Sequence, residues 1–228
     1  MNVAELAFVR LFPERKVPKI SVEYGKLHGF NARVFLSFSR LKVQLSRRWK
    51  DVSVDIQVGC IQGLLLKVYK IKNKRLTLEM ELYNNFIRSL ADHVPQTRSH
   101  PALEAAFYRV NNKFFSDELD PPNLKIGKGV NLLGSYCYQT NTITISRILL
   151  DYPDLLDYVM FHEMLHKKLK FYSTKSGRSM HHSRIFRKVE KSYPNAKVLE
   201  RRLQSLINQT KLKARRNKGF FSRVFGSK

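Results

Sequence analysis

Acidic side chains, cysteines and long apolar runs are what this sequence has least of. Its 228 residues carry 18 Asp and Glu against 42 Lys and Arg, a formal net charge of +24. Such an imbalance repels itself and is best tolerated beside a polyanion. Nucleic acid and an anionic membrane surface are the usual candidates, and the plainer alternative is a basic protein with neither. Two cysteines, Cys60 and Cys137, are too few for a disulfide framework. The opening MNVAELAFVRLFPERK has no basic segment leading into an apolar core, which argues against a secretory signal. The longest charge-free apolar stretch, Val58 to Leu66, is far short of a membrane span. The expectation is a cytoplasmic protein, with nucleoid association a natural extension of its charge.

What the chain does have is enough apolar residue, 43%, to pack a core. Residues 17–46 alternate as strands do, with Val34, Leu36 and Phe38, then Leu41, Val43 and Leu45, at every second position. Ile61, Leu64, Leu65 and Val68 recur at helical spacing, and Leu78, Leu82, Phe86 and Leu90 predict a helix over about 78–92. HVPQTRSHP, from His93 to Pro101, has two prolines and no period, and marks a boundary. Beyond it, Leu103, Ala106, Phe107, Val110 and Phe114 form a helical stripe. Leu124–Ile126, Gly134–Thr140 and Thr142–Ser146 read as strands, the last two as a hairpin through Asn141. Helices follow over about Pro153–Phe171 and Met180–Ser192. Strands and helices without regular alternation point to an α+β fold. The organisation expected is 1–95, a strand-plus-helix region of unknown role, then a domain over 96–200, then a basic C-terminal helix or tail over 201–228. No internal repeat is visible.

The chemistry lies in FHEMLH. Histidines four apart on a helix project from one face, so His162 and His166 can reach one metal ion. Glu163, about 100° round the helix, can touch a water on that metal without ligating it. Zinc lowers the pKa of such a water, and a carboxylate can take its proton and return it to a leaving amine. Two buried histidines satisfied by hydrogen bonds are the plainer reading, but a costly one without a metal. A structural zinc site closes all four positions with Cys or His, and neither cysteine has metal spacing. A third ligand is expected downstream, from His181 or His182. On the predicted helix His182 shares a face with Ile185, Phe186 and Val189, while His181 lies on the wetter side, so geometry selects His182.

Four motifs in order then resemble the SprT-like, or Spartan-type, metallopeptidase family and its YgjP-like relatives over about residues 103–194. They are VNNKFF, like the family's N-x-x-F-F; a glycine before a strand pair, GSYCYQTNTITIS; VMFHEMLHKK; and HHSRIF with Pro194 beyond it. The resemblance implies a zincin-like minimal metalloprotease domain, a small sheet packed on the HExxH helix. It implies about one zinc per chain on His162, His166 and His182, with Glu163 as catalytic base. Ser183 stands where SprT and Spartan proteins usually carry glycine, which leans towards the YgjP-like side. Spartan-type members cleave proteins crosslinked to DNA, so the resemblance also suggests a protein substrate on nucleic acid, DNA favoured. Ribosomal-RNA endonucleases with H-x-x-x-H-x-x-x-x-x-H spacing are excluded, because they lack the glutamate after the first histidine. The metzincin G-x-x-H is replaced by KKLKFYS.

The tail, KLKARRNKGFFSRVFGSK, offers Lys211, Lys213, Arg215, Arg216, Lys218 and Arg223 for phosphates and Phe220 and Phe221 for bases. A solvated basic terminus is the plainer reading of it. The expected function is a zinc-dependent endopeptidase acting on proteins bound or crosslinked to nucleic acid. The rivals are a nucleic-acid-binding module with a structural or vestigial zinc site, and a membrane-surface metalloprotease.

Overall fold

The proline-containing segment 93–101 separates stretches that pack in different cores. The protein, described here by a computed structural model, is seen for residues 1–38, 40–71, 76–174 and 179–225, apart from the side chains of residues 173, 179 and 215–225. It divides into two compact units. The first is Met1–Val94 with Tyr138–Thr140 and Phe171–His181; the second is Pro95–Cys137, Asn141–Lys170 and His182–Lys228.

The first unit opens with a helix that the sequence reading missed, α1 (Val3–Leu11). Asn2 starts it through a capping box, its side chain accepting from the amides of Ala4 and Glu5 while the Glu5 carboxylate accepts from the Asn2 amide. Three strands follow, β1 (Lys19–Gly25), β2 (Ala32–Ser37) and β3 (Arg40–Ser46). β3 lies in the middle, parallel to β1 and antiparallel to the edge strand β2. Their alternation buries Ile20, Leu41, Val43 and Leu45 under α1 and α2 (Val54–Val68). Phe38 is not a strand residue; it sits in the β2–β3 turn, fully exposed, with positive φ.

The next helix, α3 (Leu78–Leu90), corrects an expectation. Its buried residues are Met80, Asn84 and Ile87, while Leu78 and Leu82 are exposed. Gly59 on α2 is the reason. A Cβ there would run into the carbonyl of Glu79 and stand 2.9 Å from the amide of Met80, so its absence lets the α3 backbone seat with Met80 inward.

The second unit repeats this plan. It contains α4 (Pro101–Phe115), β4 (Asn123–Gly127), β5 (Gly134–Cys137), β6 (Thr142–Ser146) and α5 (Pro153–Leu169). β6 is central, parallel to β4 and antiparallel to the edge strand β5. A turn of 3₁₀ helix follows the middle strand in both units, after the buried Ser46 in one and the buried Ser146 in the other. The opening helix packs on the later one in each, α1 on α2 and α4 on α5. β5 ends three residues earlier than its alternation suggests, because Tyr138–Thr140 turns as 3₁₀ helix and packs in the first unit. There it is joined by the short pair β7 (Tyr172–Ser173) and β8 (Ser179–Met180).

α5 is buried on most sides, by Phe107 of α4, Ile143 and Ile145 of β6, and residues of α6 (Arg184–Lys191) and α7 (Ala196–Phe225). α7 begins before residue 201 and gives Leu199 and Leu203 to this core, so the expected tail boundary falls inside a helix. Among the described residues no helix is long and apolar enough to cross a membrane. Gly59→Ala should destabilise the protein by about 1–3 kcal/mol, since two backbones would have to part; urea denaturation measures it, and unchanged stability would mean that the helices slide without cost.

Candidate metal centre

α5 starts on Pro153, whose missing N–H is no loss at a first helical position, and runs without interruption to Leu169. His162 and His166 therefore lie one turn apart, with ring centroids 4.9 Å from each other. His182 reaches them differently from the sequence expectation. It is not on a helix: Ser183 is the N-cap of α6, its hydroxyl accepting from the Phe186 amide at 3.0 Å, so His182 stands in the turn before it. Ile185, expected on the same buried face, is 64% exposed.

The ligand atoms of His162, His166 and His182 all lie within 4.8 Å of one another. His162 Nε2 is 3.2 Å from His166 Nε2 and 3.4 Å from His182 Nε2. One in-plane lone pair cannot take two straight hydrogen bonds, whereas a cation satisfies every ring. Nitrogens each about 2.05 Å from a tetrahedral zinc stand roughly 3.3 Å apart, so the donor set fits that ion.

His162 has its tautomer set from behind. Its Nδ1 is 2.6 Å from Glu190 Oε1, a distance at which the ring donates and leaves Nε2 to the cluster. Burial opposes the charged imidazole, but the hydrogen bond to Glu190 and the charges of Glu163 and Glu190 outweigh it and raise the His162 pKa. The same hydrogen bond, against burial, holds Glu190 below the usual carboxylate range.

Glu163 is 3% exposed. Burial pushes its pKa up to about 7, against the His162 charge and a hydrogen bond from the Tyr136 amide of β5. Its Oε2 is buried and meets no hydrogen-bond partner among the described residues. The glycine before the strand pair now has a physical reason. A Cβ on Gly134 would stand 2.8 Å from Val159 Cγ1 and 2.9 Å from Glu163 Cγ, and nearer still to the carboxylate. Beside Glu163 opens a cavity of about 280 Å³, lined by Leu133, Gly134, Val159, His162, Glu190 and Leu203 among others.

Residues 103–210 match the model of the SprT-like family. This stretch is SprT-like. No curated protein matches the chain in sequence. Among solved structures it is similar to the metallopeptidase zymogen jannalysin of Methanocaldococcus jannaschii, at 16% identity and a TM-score of 0.37, over 51% of this chain and 95% of that one.

The motifs of the SprT-like stretch are packing and capping devices as well as chemistry. Asn111 of VNNKFF clips the chain after α4, donating to the Leu119 carbonyl at 3.0 Å and accepting from its amide. Phe114 stacks on Tyr193, the residue before Pro194. His181 is not in the cluster. It lies in the first unit near Tyr138 and Phe171, and burial lowers its pKa. Lys211 and Lys213 are exposed on α7, while the side chains of Arg215, Arg216, Lys218, Phe220, Phe221 and Arg223 lie outside the described residues.

Glu190 was missed by sequence reasoning. The signal was there: it is the one acidic residue between Glu163 and Glu200. Replacing Glu190 with Gln should lower zinc affinity by about 10–100-fold in competition with a chelator. Gly134→Ala should leave zinc in place and disturb Glu163 instead. Equal zinc affinity in Glu190→Gln would reduce the Glu190 contact to packing.

Proposed function

We propose that the chain is a cytoplasmic, zinc-dependent endopeptidase of zincin-like fold, acting on proteins bound or crosslinked to nucleic acid, DNA in preference. The observation that carries the peptidase part is the meeting of three imidazole nitrogens beside a buried carboxylate and an open cavity. His162, His166 and His182 hold the ion. Among the described residues the group has three ligand side chains, which leaves a position open, as a catalytic site needs and a structural site does not. When bound, zinc supplies Lewis acidity that polarises a water and a peptide carbonyl.

The chain's own groups do the rest. Glu163 takes a proton from the attacking water and delivers it to the leaving amine, a task for which a pKa near neutrality is suited. Glu190 keeps His162 in one tautomer. β5 is a sheet edge whose Tyr136 amide points at Glu163, so an extended substrate laid along it comes within reach of the base. A side chain of that substrate enters the cavity between Gly134 and Leu203. The nucleic-acid part rests on the net charge of +24 and the basic end of α7.

Glu163→Gln should keep its zinc while peptide-bond cleavage falls at least ~10²-fold; an active variant would mean that another group is the base. For the substrate class, one protein is offered twice, free and crosslinked to DNA, to the full chain and to a chain lacking residues 211–228. The crosslinked form should be cut faster, and truncation should remove part of that advantage. Equal rates on both, without DNA or RNA binding near physiological salt, would leave the peptidase and remove its nucleic-acid substrate.

A further inference from the structure

The repeated plan of the two units extends to their clefts. In the SprT-like unit the cavity beside the base is built from Leu133 and Gly134, the residue before β5 and its first, and from Val159, His162 and Glu163, the seventh, tenth and eleventh residues of α5. The first unit has a cavity of about 160 Å³. It uses Asn31 and Ala32, the residue before β2 and its first, and Cys60, Gly63 and Leu64, the seventh, tenth and eleventh residues of α2. At these five positions the cavities correspond, with Gly63 and Leu64 in place of His162 and Glu163, and on the helices Lys67 stands at the position of His166. The metal ligands and the base are gone, and the edge strand and side-chain cavity remain.

We infer that the first unit is a second, non-catalytic copy of the SprT-like scaffold, and that its cleft binds an extended polypeptide without cutting it. Such a chain pairs with β2, an edge strand of its sheet among the described residues, and seats an apolar side chain in the cavity. The walls are mixed: Phe30, Ala32 and Leu64 are apolar, and Asn31, Tyr83 and Gln139 add polar groups that suit a peptide segment. Cys60 adds an inert wall, its thiol pushed up to about 12 by burial. The rim is basic, with Lys67 at the mouth and Arg33 exposed on β2, so the segment that fits carries acidic residues beside its apolar one. Phe35 and Leu36 lie exposed along the same edge strand, 50% and 41% open to solvent, a poor composition for an edge left bare. The purpose of the cleft rests on the peptidase reading: a long unfolded substrate is held at two places on one enzyme. Its ability to bind polypeptide does not.

The test uses the full chain and two substrates, reduced carboxymethylated lactalbumin, which is unfolded and acidic, and a ten-residue quenched-fluorescence peptide. Leu64→Trp fills the cavity, and Lys67→Glu reverses the exposed rim charge without touching the core. Both variants should raise KM for the long substrate about tenfold or more, with kcat and short-peptide cleavage unchanged, since a second site contributes by avidity. In the Glu163→Gln background, labelled lactalbumin should bind less tightly to either variant by a similar factor. Wild-type kinetics and wild-type binding in Lys67→Glu would overturn the inference, as would loss of affinity for a twenty-nucleotide oligothymidylate in place of lactalbumin. If the wild type cut neither substrate, the peptidase reading would fail, and the binding arm would still decide the second cleft.

Discussion

The ring of Phe186 has no solvent exposure, and all three imidazoles rest on it, their centroids 5.1, 4.7 and 4.8 Å away for His162, His166 and His182. Everything at the centre depends on that wedge. α5 alone brings two histidines together, but the third arrives from another element and needs a fixed distance. The Ser183 cap sets where α6 begins, the first turn of α6 places Phe186, and Phe186 fixes how closely His182 can approach. Glu190, one turn further along α6, then meets the back of His162. A short helix thus supplies a cap, a floor and a carboxylate, and the imidazoles spend little conformational freedom in converging.

The scarcity of acidic residues gives their positions weight. In the SprT-like unit Glu163 and Glu190 serve the centre, and Tyr158 donates to Glu200 at 3.1 Å on the wall of the same cavity. Asp157 takes a paired contact from Arg109, at 2.7 and 3.0 Å, fastening α4 to α5. Asp154 pairs with Arg202 and fastens α7. These last two are half-exposed and individually modest, so they fasten the helices around α5 rather than hold the fold.

Legibility followed the length scale of each signal. His162, Glu163 and His166 sit on one helix, so spacing alone juxtaposes them. His182 was chosen on a helical-face argument that does not apply, because 179–183 is strand and turn; the resemblance named it on other grounds. Glu190 needed a contact between helices, which no local period encodes. The rotation of α3 depended on what Gly59 leaves out, and an apolar count cannot register an absent side chain. The common plan of the two units left no mark either, since β2 and β5, or α2 and α5, share positions and burial but hardly a residue.

One feature of the chain path bears on how this protein could be dissected. Backbone passes between the units at 94–95, 137–138, 140–141, 170–171 and 181–182. Tyr138 and Phe171, inside the family stretch in sequence, are buried against each other in the first unit, where Arg88 donates to the Phe171 carbonyl at 3.0 Å. A fragment cut at the family limits would strip both rings of their surroundings. The two halves are stitched rather than strung, so neither can be lifted out by a single cut in the chain.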